Sequence, residues 1–596
     1  MAVSRIFDLL DNYDNFPDVK IAFAEKLDGK WERYSPQQYK ETSIHFAIGL
    51  LALGVKKGDK IASISINCPQ WNFIDMGIAL IGAIHVPLYP SFSDKELKYV
   101  LSHAEPVLLL VSDSQIFEPV KSAISDVLTL KNIYTFMEVT GLKNWEIIIK
   151  LGESEKELYF NKLQSVMKEI KPDDLATIIY TSGTTGISKG VMLSHDNLIT
   201  NAIAVARRQH LKTGAEILSF LPLCHVYERM INYQYQYLGI SLYYAENMNM
   251  IADNLKELKL DGFTAVPRIF EKIYEKLVIE GRKLSWFPRQ IFFRALNLAL
   301  EYKINGNTFF YNIQHKLFDK LVYSKWRNAL GGKISCAGVG GAACRPNLIR
   351  LFWAAGIPVY EGYGLTETSP IISVNYGKPE SSHLNKTLKI GSTGKILENV
   401  KVKIGDDGEI LVKGPNVMKG YYKDTEKSKS VFDENGWFRT GDIGLIDNEG
   451  FLVITGRKKD LFKTSWGKYI APQYIEYIFR KSFLIGHIMV IGENRKFTSA
   501  VISPDFQHLY DWCRQHNINY ENNIDLINIP RILALYSKEI SIINKTLGRS
   551  ERIKTFRLVS ELWSPETGEL TPTQKLKRKN IFEKYSDLIE KMYSQI

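Results

Sequence analysis

Short apolar runs alternate with longer amphipathic segments over the first part of the chain. IASISI (61–66) and VLLLVSD (107–113) are apolar runs of strand length, and residues 71–90 between them combine a helical pattern with a further strand-like run. Strands that alternate with helices predict βα units around a parallel sheet. Residues 113–171 are more polar and rich in lysine, which predicts peripheral elements.

The stretch YTSGTTGISKG (180–190) interrupts this pattern with three glycines, one lysine and five serine or threonine side chains. A buried strand is predicted before it, and a short strand is predicted after it, followed by a helix capped near Ser194 or Asp196. The loop is therefore expected at the carboxyl end of a strand, where open α/β sheets bind ligands. Glycines allow close approach of a ligand, hydroxyl groups donate hydrogen bonds, and Lys189 adds a positive charge, which together suit a polyphosphate.

Residues 180–190 have three other possible interpretations. A flexible polar linker is unusual between two buried elements. A Walker phosphate loop requires Gly-Lys-Ser/Thr, whereas Lys189 precedes Gly190 and Val191 follows. Residues 186–190 fit the five-letter pattern of a hydrolase nucleophile elbow, but that motif does not account for the threonines upstream.

Composition narrows the class of protein without choosing a partner. The 596 residues are 45% hydrophobic and 24% charged, as in ordinary globular proteins, and they fit three or four domain-sized units or one large α/β body with a smaller partner. The net charge of +11 favours anionic partners, which include nucleotides, coenzymes, membranes and nucleic acid. Five scattered cysteines without metal-ligand spacing indicate a reducing compartment.

The sequence predicts neither a secretory signal peptide nor a membrane span. The first residues carry acids where a signal peptide needs a basic start, and no run approaches the roughly 20 apolar residues of a membrane span. A cytoplasmic location is expected, and any membrane contact would be peripheral.

Further polar groups follow predicted strands. EILSFLPLCHVYERM (216–230) places His225 at the end of an apolar strand, and such a histidine is either structural or catalytic. Residues 333–343 satisfy GxGxxA, and Glu361 follows at the separation of a dinucleotide-binding acid. Pro346 is expected to break the chain where a dinucleotide-binding fold would open a helix, so we favour a glycine loop that lines a nucleotide pocket and keep the dinucleotide fold as the alternative.

Two later segments suit a nucleotide. VYEGYGLTETSP (359–370) combines aromatic, hydroxyl and carboxylate groups, which can stack on a purine, bond a phosphate and hold Mg²⁺. Asp442 is expected on a glycine-flanked turn. Arg457 and four lysines then cross what we interpret as a domain junction.

Residues 281–332 interleave arginines and lysines with aromatic side chains. Basic amphipathic helices of this kind can lie on an anionic membrane surface. The alternative is a helical insertion that packs on the main body with a solvated basic face.

Six segments occur in the order typical of the AMP-forming acyl-adenylate superfamily: YTSGTTGISKG, LPLCHVYE, YEGYGLTE, WFRTGD, GRKKDLFKTSWGKYIAP and TPTQKLKRK. The chain resembles this superfamily from end to end. Its length, the 281–332 insertion and the LTPTQKLKRK ending are most similar to the long-chain fatty-acid CoA ligases. The resemblance implies an α/β fold with a large N-terminal domain (1–458) of layered sheets flanked by helices plus a small barrel, and a smaller, mobile α+β C-terminal domain (459–596).

The resemblance also implies a role for individual residues. The residues expected at the β- and γ-phosphates are Thr181, Ser182, Gly183, Thr184, Thr185, Gly186 and Lys189. Thr181 and Glu367 would lie near Mg²⁺, and Thr366 would meet the α-phosphate. The residues expected around adenine and ribose are Gly341, Gly362, Tyr363, Asp442 and Arg457. Lys463 is a further candidate for cofactor binding, and His225 is a further candidate for catalysis.

Lys575 matches the adenylation lysine of the superfamily, whose charge would offset the negative charge of the transferring phosphoryl group. Lys459 matches the pivot about which the C-terminal domain turns. The hypothesis is a ligase that converts fatty acid, ATP and coenzyme A into acyl-CoA, AMP and pyrophosphate through an acyl-adenylate. Alternatives are a fatty acyl-AMP ligase, a ligase for an acyl carrier protein, and a membrane- or lipid-binding protein with a degenerate site. No nucleic-acid partner is expected, and the 281–332 insertion is the expected place of any contact with an anionic membrane.

Overall fold

The computed structural model describes residues 3–594 except 125, 126, 128, 131, 182–187, 380, 382, 467, 481, 483, 565, 566 and 571–575. Two large sheets with helices on their faces form the main body, which confirms the α/β class. The strands of the first sheet, from edge to edge, are Lys395–Ile396, Ile371–Val374, Val359–Gly364, Cys336–Val339, Gly262–Ala265, Glu216–Ser219, Ser241–Tyr244, Phe23–Leu27 and Lys30–Tyr34. Its central strands run parallel, and its edges are antiparallel.

The second sheet contains the predicted βα units. Its strands, in spatial order, are Gly420–Tyr421, Lys189–Ser194, Leu175–Thr181, Ile84–Leu88, Lys60–Ile64, Leu108–Val111, Asn132–Thr135 and Lys143–Asn144. The strands predicted at 61–66 and 107–113 are confirmed, and they pair in parallel. Where the resemblance implies a small barrel, an antiparallel sheet follows with the strands Lys401–Ile404, Glu409–Lys413, Phe438–Ile446 and Leu452–Arg457.

The α-helices of the main body lie between these strands. They are Asp8–Asn12, Pro36–Ala52, Pro69–Leu80, Asp94–Ala104, Ser114–Ile124, Glu146–Ser154, Lys156–Glu169, His195–Ala206, Val226–Tyr237, Ile251–Leu258, Pro267–Lys283, Trp286–Leu300, Phe309–Phe318, Ser324–Ala329, Pro346–Ala354 and Thr425–Ser430. Several begin with proline, whose fixed φ suits the first helical position. The break expected at Pro346 is therefore wrong, because this proline starts a helix. Ser194 caps the helix after the polar loop by accepting from the N–H of Asn197, as predicted.

A second, smaller body follows Arg457. Its strands are Phe462–Lys463, Tyr469–Ile470, Ile485–Ile491, Thr498–Pro504 and Ile553–Leu558. Its helices are Pro472–Phe479, Phe506–Gln515, Asn523–Asn528, Pro530–Asn544, Arg578–Lys584 and Ser586–Ser594. It has hydrophobic clusters of its own, separate from the main core. Arg282 of the insertion bonds across to it, with Nη2 2.6 Å from Asp511 Oδ2.

Two local interpretations change in the structure. Asp442 lies within the strand Phe438–Ile446 and not on a turn, because Gly441 takes φ +70° and bends a strand that stays paired on both sides. Ser188 leads directly into the strand Lys189–Ser194. A nucleophile elbow requires a helix after the serine, so that interpretation is wrong.

A buried ionic network joins the two large sheets. Arg229, on a helix that follows a strand of the first sheet, has Nη2 2.5 Å from Asp75 Oδ1 and donates through Nη1 to Thr177 Oγ1 at 2.7 Å. Asp75 also accepts from the Tyr233 hydroxyl at 2.5 Å and lies 2.6 Å from Nδ1 of His85. Arg229 and Asp75 are 1% and 2% exposed. Their desolvation is offset only because almost every polar atom has a partner.

We predict that Arg229→Met lowers the melting temperature by about 3–5 °C. The substitution leaves Asp75 as a buried carboxylate without its cation, which lowers the free energy of unfolding by about 3–5 kcal/mol. The melting temperature shifts by only a few degrees because the unfolding entropy of so large a body is large. Arg229 also lowers the pKa of His85, alongside burial, so that pKa rises in the variant. The loss is then smaller at pH 5.5 than at pH 8, because protonated His85 can pair with Asp75.

The measurement is differential scanning calorimetry at both pH values. Arg207→Met, at an exposed position after the helix His195–Ala206, is the matched control and should shift the melting temperature by less than about 1 °C. Equal shifts in the two variants would show that the network does not stabilise the main body.

Candidate active site

The predicted polyphosphate loop closes a hairpin. Thr181 ends one strand, Lys189 begins the next, and the two residues pair directly. The predicted loop residues Ser182, Gly183, Thr184, Thr185 and Gly186 lie outside the described residues. Thr181 and Lys189, which flank the loop, therefore lie at the carboxyl end of the strand Leu175–Thr181, as the sequence predicts.

Lys189 and Glu367 meet at Tyr421. The Glu367 Oε1 atom accepts a hydrogen bond from the Tyr421 hydroxyl at 2.9 Å, and the Lys189 ammonium lies 5.3 Å from the centre of the Tyr421 ring. Glu367 is held in a short 3₁₀ turn, Thr366–Thr368, after the strand Val359–Gly364. The structure thus brings the lysine of the loop close to the carboxylate predicted to lie near Mg²⁺.

The surroundings of Lys189 lower its pKa. Burial lowers its pKa first, and the nearby Lys427 and Lys459 lower it further, while Glu367 and Asp424 raise it. The net direction of the pKa is downward, chiefly because of burial. A polyanion bound here would relieve the repulsion from Lys427 and Lys459.

A second cluster contains three predicted residues. Asp442 Oδ2 accepts from the Tyr363 hydroxyl at 2.6 Å, and Asp442 Oδ1 lies 2.7 Å from Nε of Arg457 on the neighbouring strand. Asp442 is buried, while Arg457 is 40% exposed. The pKa of Tyr363 is raised well above its ordinary value by burial and by the adjacent Asp442 carboxylate. The phenol therefore stays neutral and keeps donating to Asp442.

The glycine loop after the strand Cys336–Val339 is open. Gly341 has φ +78°, and a Cβ there would meet only Val266, at 3.8 Å. Glu361, the candidate dinucleotide acid, instead turns inward, where its Oε1 accepts from the N–H of Cys344 at 3.0 Å. Burial raises the pKa of Glu361 to about 8. This carboxyl group is occupied within the protein, so the dinucleotide interpretation loses its ribose-binding acid.

An apolar cavity adjoins the second cluster. It lies between the helices His195–Ala206 and Val226–Tyr237 and the first sheet, and Gly338 and Gly362 form part of its wall. Gly362 immediately precedes Tyr363. Arg208 and Tyr376 also line the cavity. The Arg208 guanidinium lies 4.6 Å from the centre of the Tyr376 ring and donates to the carbonyl groups of Lys395 and Ile396.

His225 has a structural role that the sequence left open. It caps the helix Val226–Tyr237, and its Nδ1 accepts from the N–H of Tyr227 at 3.1 Å. Its ring lies 6.4 Å from that of Tyr89. His225 therefore orients a helix that lines the cavity.

The remaining candidates lie in or next to the smaller body. Lys459 is exposed in the 3₁₀ turn Lys458–Asp460, and its neighbour Lys458 is 2.7 Å from both Asp407 and Glu409 of the main body. Lys463 lies in an exposed hairpin, where its ammonium is 4.9 Å from the centre of the Tyr469 ring. Lys575 lies outside the described residues.

Sequence reasoning missed Tyr421. Its strand, Gly420–Tyr421, pairs with Val191 and Met192 of the phosphate hairpin, more than two hundred residues away. The two tyrosines of KGYY (419–422) are a weak local signal for a strand and do not indicate its partner.

Comparison with known proteins places the chain in a family. The model of the AMP-binding enzyme family matches residues 11–422, and that of the AMP-binding enzyme C-terminal domain matches residues 459–596. A long-chain-fatty-acid–CoA ligase of Mycobacterium bovis, FadD15, is 32% identical over 587 residues, which cover 97% of this chain and 95% of the relative. Long chain acyl-CoA synthetase 7, a peroxisomal protein of Arabidopsis thaliana, is 31% identical and covers 98% of this chain and 86% of its own.

Solved structures agree at the level of the fold. A fatty acyl CoA synthetase of Mycobacterium tuberculosis superposes with a TM-score of 0.62 at 21% identity, covering 98% of this chain and 99% of its own. The fold is that of an acyl-adenylate-forming enzyme with a large and a small body. The chain belongs to the AMP-binding enzyme family.

We predict that Asp442→Asn lowers the affinity for ATP and AMP by at least about tenfold. The substitution keeps the shape of the side chain but removes the charge that Arg457 pairs with, and hydrogen bonds to charged groups contribute about 1.5–3 kcal/mol. Isothermal titration calorimetry measures the effect. The control is Asp447→Asn, which removes the carboxylate paired with Lys389 at the surface and should leave nucleotide affinity unchanged. Equal affinities in the wild type and both variants would exclude Asp442 from the nucleotide site.

Proposed function

We propose that this protein is a long-chain fatty-acid CoA ligase, which forms acyl-CoA, AMP and pyrophosphate from a fatty acid, ATP and coenzyme A through an acyl-adenylate. The observation that carries the proposal is the Tyr363–Asp442–Arg457 cluster together with an adjoining cavity of about 60 Å³, whose lining is mostly apolar and includes Gly362. A fatty carboxylate at this point would meet the α-phosphate, and the cavity as it stands has room for only a small part of the acyl chain. The names of the full-length relatives point to the same reaction.

The residues of the site divide into three groups under this proposal. Thr181, Lys189 and the loop between them bind the β- and γ-phosphates, and Thr366 binds the α-phosphate. The adenosine is held by Gly341, Gly362, Tyr363, Asp442 and Arg457. Residues 459–596 form the mobile domain with Lys459 as its pivot, and residues 1–458 form the domain that holds the substrates.

The described residues suit Mg²⁺ bound together with ATP. Glu367 is partly exposed, and the Tyr421 hydroxyl donates to one of its two oxygens, Oε1. Among the described residues, no group of three or more histidine, cysteine or acidic side chains is arranged around a metal. Mg²⁺ normally binds one or two carboxylates plus substrate phosphates, so Glu367 and Thr181 would hold it only with the nucleotide. Bound there, Mg²⁺ supplies charge neutralisation for the phosphates.

Lys575 is the residue we propose to act on the first half-reaction. Its ammonium would offset the charge that gathers on the α-phosphate when the fatty carboxylate attacks and pyrophosphate leaves. The second half-reaction needs the thiol of coenzyme A to attack the acyl carbon and expel AMP. A lysine placed on the mobile domain can serve the first step and withdraw for the second.

We predict that Lys575→Ala lowers acyl-AMP formation by at least about 10²-fold and leaves the conversion of supplied acyl-AMP to acyl-CoA intact. The assay measures pyrophosphate release and thioester formation separately with hexadecanoic acid. Lys577→Ala is the matched control and should retain both steps.

Equal loss of both steps in Lys575→Ala would exclude the proposed role of this lysine. Wild-type protein that forms acyl-AMP but transfers it only to a phosphopantetheinylated carrier protein would instead be a carrier-protein ligase. Activity restricted to aromatic or amino acids would contradict the fatty-acid substrate.

The insertion carries a surface suited to an anionic bilayer. Phe309, Phe310, Ile313, Leu317 and Leu321 form an apolar face, of which the two phenylalanines are 75% and 77% exposed. Phe292 and Trp326 pack into the core, so the insertion is anchored on the main body while this face stays in solvent. Exposed patches of this kind mark interaction sites.

Lysines border the apolar face. Lys316 and Lys320 are exposed on the same stretch of helix, and Trp286 and Phe287 are exposed at the start of the neighbouring helix. Aromatic side chains beside basic groups favour the interface of an anionic membrane. No helix of the described residues is long and apolar enough to cross a membrane.

We predict that Phe309→Ser with Phe310→Ser reduces binding to phosphatidylglycerol vesicles at least about tenfold, because two exposed apolar side chains no longer enter the interface. Lys316→Gln with Lys320→Gln should weaken binding mainly at low salt. Vesicle co-sedimentation measures both. Leu158→Ser with Phe160→Ser removes exposed apolar groups elsewhere and should change nothing; unchanged binding in all variants would contradict the membrane contact.

A further inference from the structure

A polar contact joins the start of the insertion to the smaller body. At the end of the helix Pro267–Lys283, Arg282 donates through Nη2 to Asp511 Oδ2 at 2.6 Å, and its Nη1 donates to the Gln507 side chain. Asp511 and Gln507 belong to the helix Phe506–Gln515 of the smaller body. The side chains of Arg282 and Asp511 are only 18% and 22% exposed, so this ion pair is mostly shielded from solvent.

A second contact lies about two turns earlier on the same helix. The Tyr274 hydroxyl lies 3.3 Å from Nε2 of His508, and the two rings are nearly parallel with their centres 6.5 Å apart. Tyr274 and Arg282 share one face of their helix, and His508 and Asp511 share one face of the other. The two helices therefore meet along polar faces, over roughly 12 Å.

Each of these helices is fixed to its own body. Ile269 and Phe270 are buried in the hydrophobic core of the main body, whereas Leu509 and Cys513 are buried in a core of the smaller body. Each helix therefore moves with the body that contains it. The named contacts between the helices are polar, and polar contacts between domains can exchange with water and form again.

We infer that Arg282, Asp511 and Gln507 form a latch, which holds the smaller body in one position against the main body and opens when the smaller body turns. The inference rests on the proposed function, because that proposal makes the smaller body mobile about Lys459. The helix Phe506–Gln515 is packed into the smaller body, so a turn about Lys459 carries Asp511 away from Arg282. Arg282 and Asp511 are positioning residues, which act on the reaction only through the position of the smaller body.

The latch opens with little loss of free energy. Asp511 also accepts a hydrogen bond from Arg514 on its own helix, so the carboxylate keeps a cation when Arg282 leaves. Ion pairs that are partly exposed shift an equilibrium by only a few-fold. A weak latch suits a body that occupies two positions in each catalytic cycle, since a strong one would hold the enzyme at one half-reaction.

The first experiment measures the position of the smaller body without any activity. Nitroxide labels at Lys150→Cys in the main body and Lys538→Cys in the smaller body, both exposed positions, report their distance by double electron–electron resonance. The five native cysteines are buried, so the introduced ones are labelled selectively. Arg282→Gln and Asp511→Asn should each shift or broaden the distance distribution relative to the wild type.

The second experiment measures the two half-reactions separately, as pyrophosphate release with hexadecanoic acid and as thioester formation from supplied acyl-AMP. Arg282→Gln and Asp511→Asn should change the ratio of the two rates by at least about threefold, in the same direction. The double variant should change it no further, because each single substitution already removes the pair. The control is Lys283→Gln, whose lysine pairs with Glu280 on its own helix, and it should change neither the ratio nor the distances.

The two measurements separate the ways in which the inference can fail. A distance distribution that is unchanged in Arg282→Gln and Asp511→Asn overturns the latch, whatever the activity. A changed distribution with an unchanged ratio of rates contradicts their role as positioning residues. A wild type that forms neither acyl-AMP nor thioester overturns the proposed function, and the distance measurement then decides on the latch alone.

Discussion

The guanidinium of Arg229 holds together the two elements from which the site is built. One of its nitrogens donates to Thr177, four residues before the strand ends at Thr181, or about 13 Å along an extended chain. Its own helix begins three residues earlier, at Val226, or about 4.5 Å away along the helix axis. The polyphosphate hairpin and the helix that lines the apolar cavity therefore diverge from one buried ion pair. A shift of Asp75 or Arg229 would move the hairpin and the cavity relative to each other.

Burying such a network costs more free energy than burying an apolar contact of the same size, and what the network contributes is a fixed geometry. Hydrophobic packing between helices and sheets tolerates small sliding movements, whereas a guanidinium bonded to a carboxylate, a threonine and a tyrosine permits one arrangement. The two sheets come from distant parts of the chain. Fixing them through hydrogen bonds sets the angle at which a carboxylate in the cavity would face a phosphate.

Local patterns in the sequence predicted several strands, the polar loop and the helix that follows it, because periodicity and capping act over a few residues. The strand into Thr181, the cap at Ser194 and the strand before Gly341 follow from such signals. Contacts between distant segments were not predicted from the sequence. The Asp75–Arg229 pair spans 154 residues, and the Tyr421–Glu367 bond depends on a two-residue strand that finds its partner only in the folded sheet. Asp442 was placed on a turn because glycine usually ends a strand, whereas sheet pairing on both sides carries this strand through Gly441.

The charge around Lys189 links nucleotide binding to the smaller body. Lys459, at the start of that body, is close enough to lower the pKa of Lys189, and Lys427 adds to the repulsion. Without an anion, Lys459 and Lys427 repel the Lys189 ammonium, while Glu367 and Asp424 attract it. A bound polyphosphate reverses the sign of this interaction, so the same lysines then attract. Under the proposed function, binding of the nucleotide would favour the approach of the smaller body, and departure of pyrophosphate would remove this attraction.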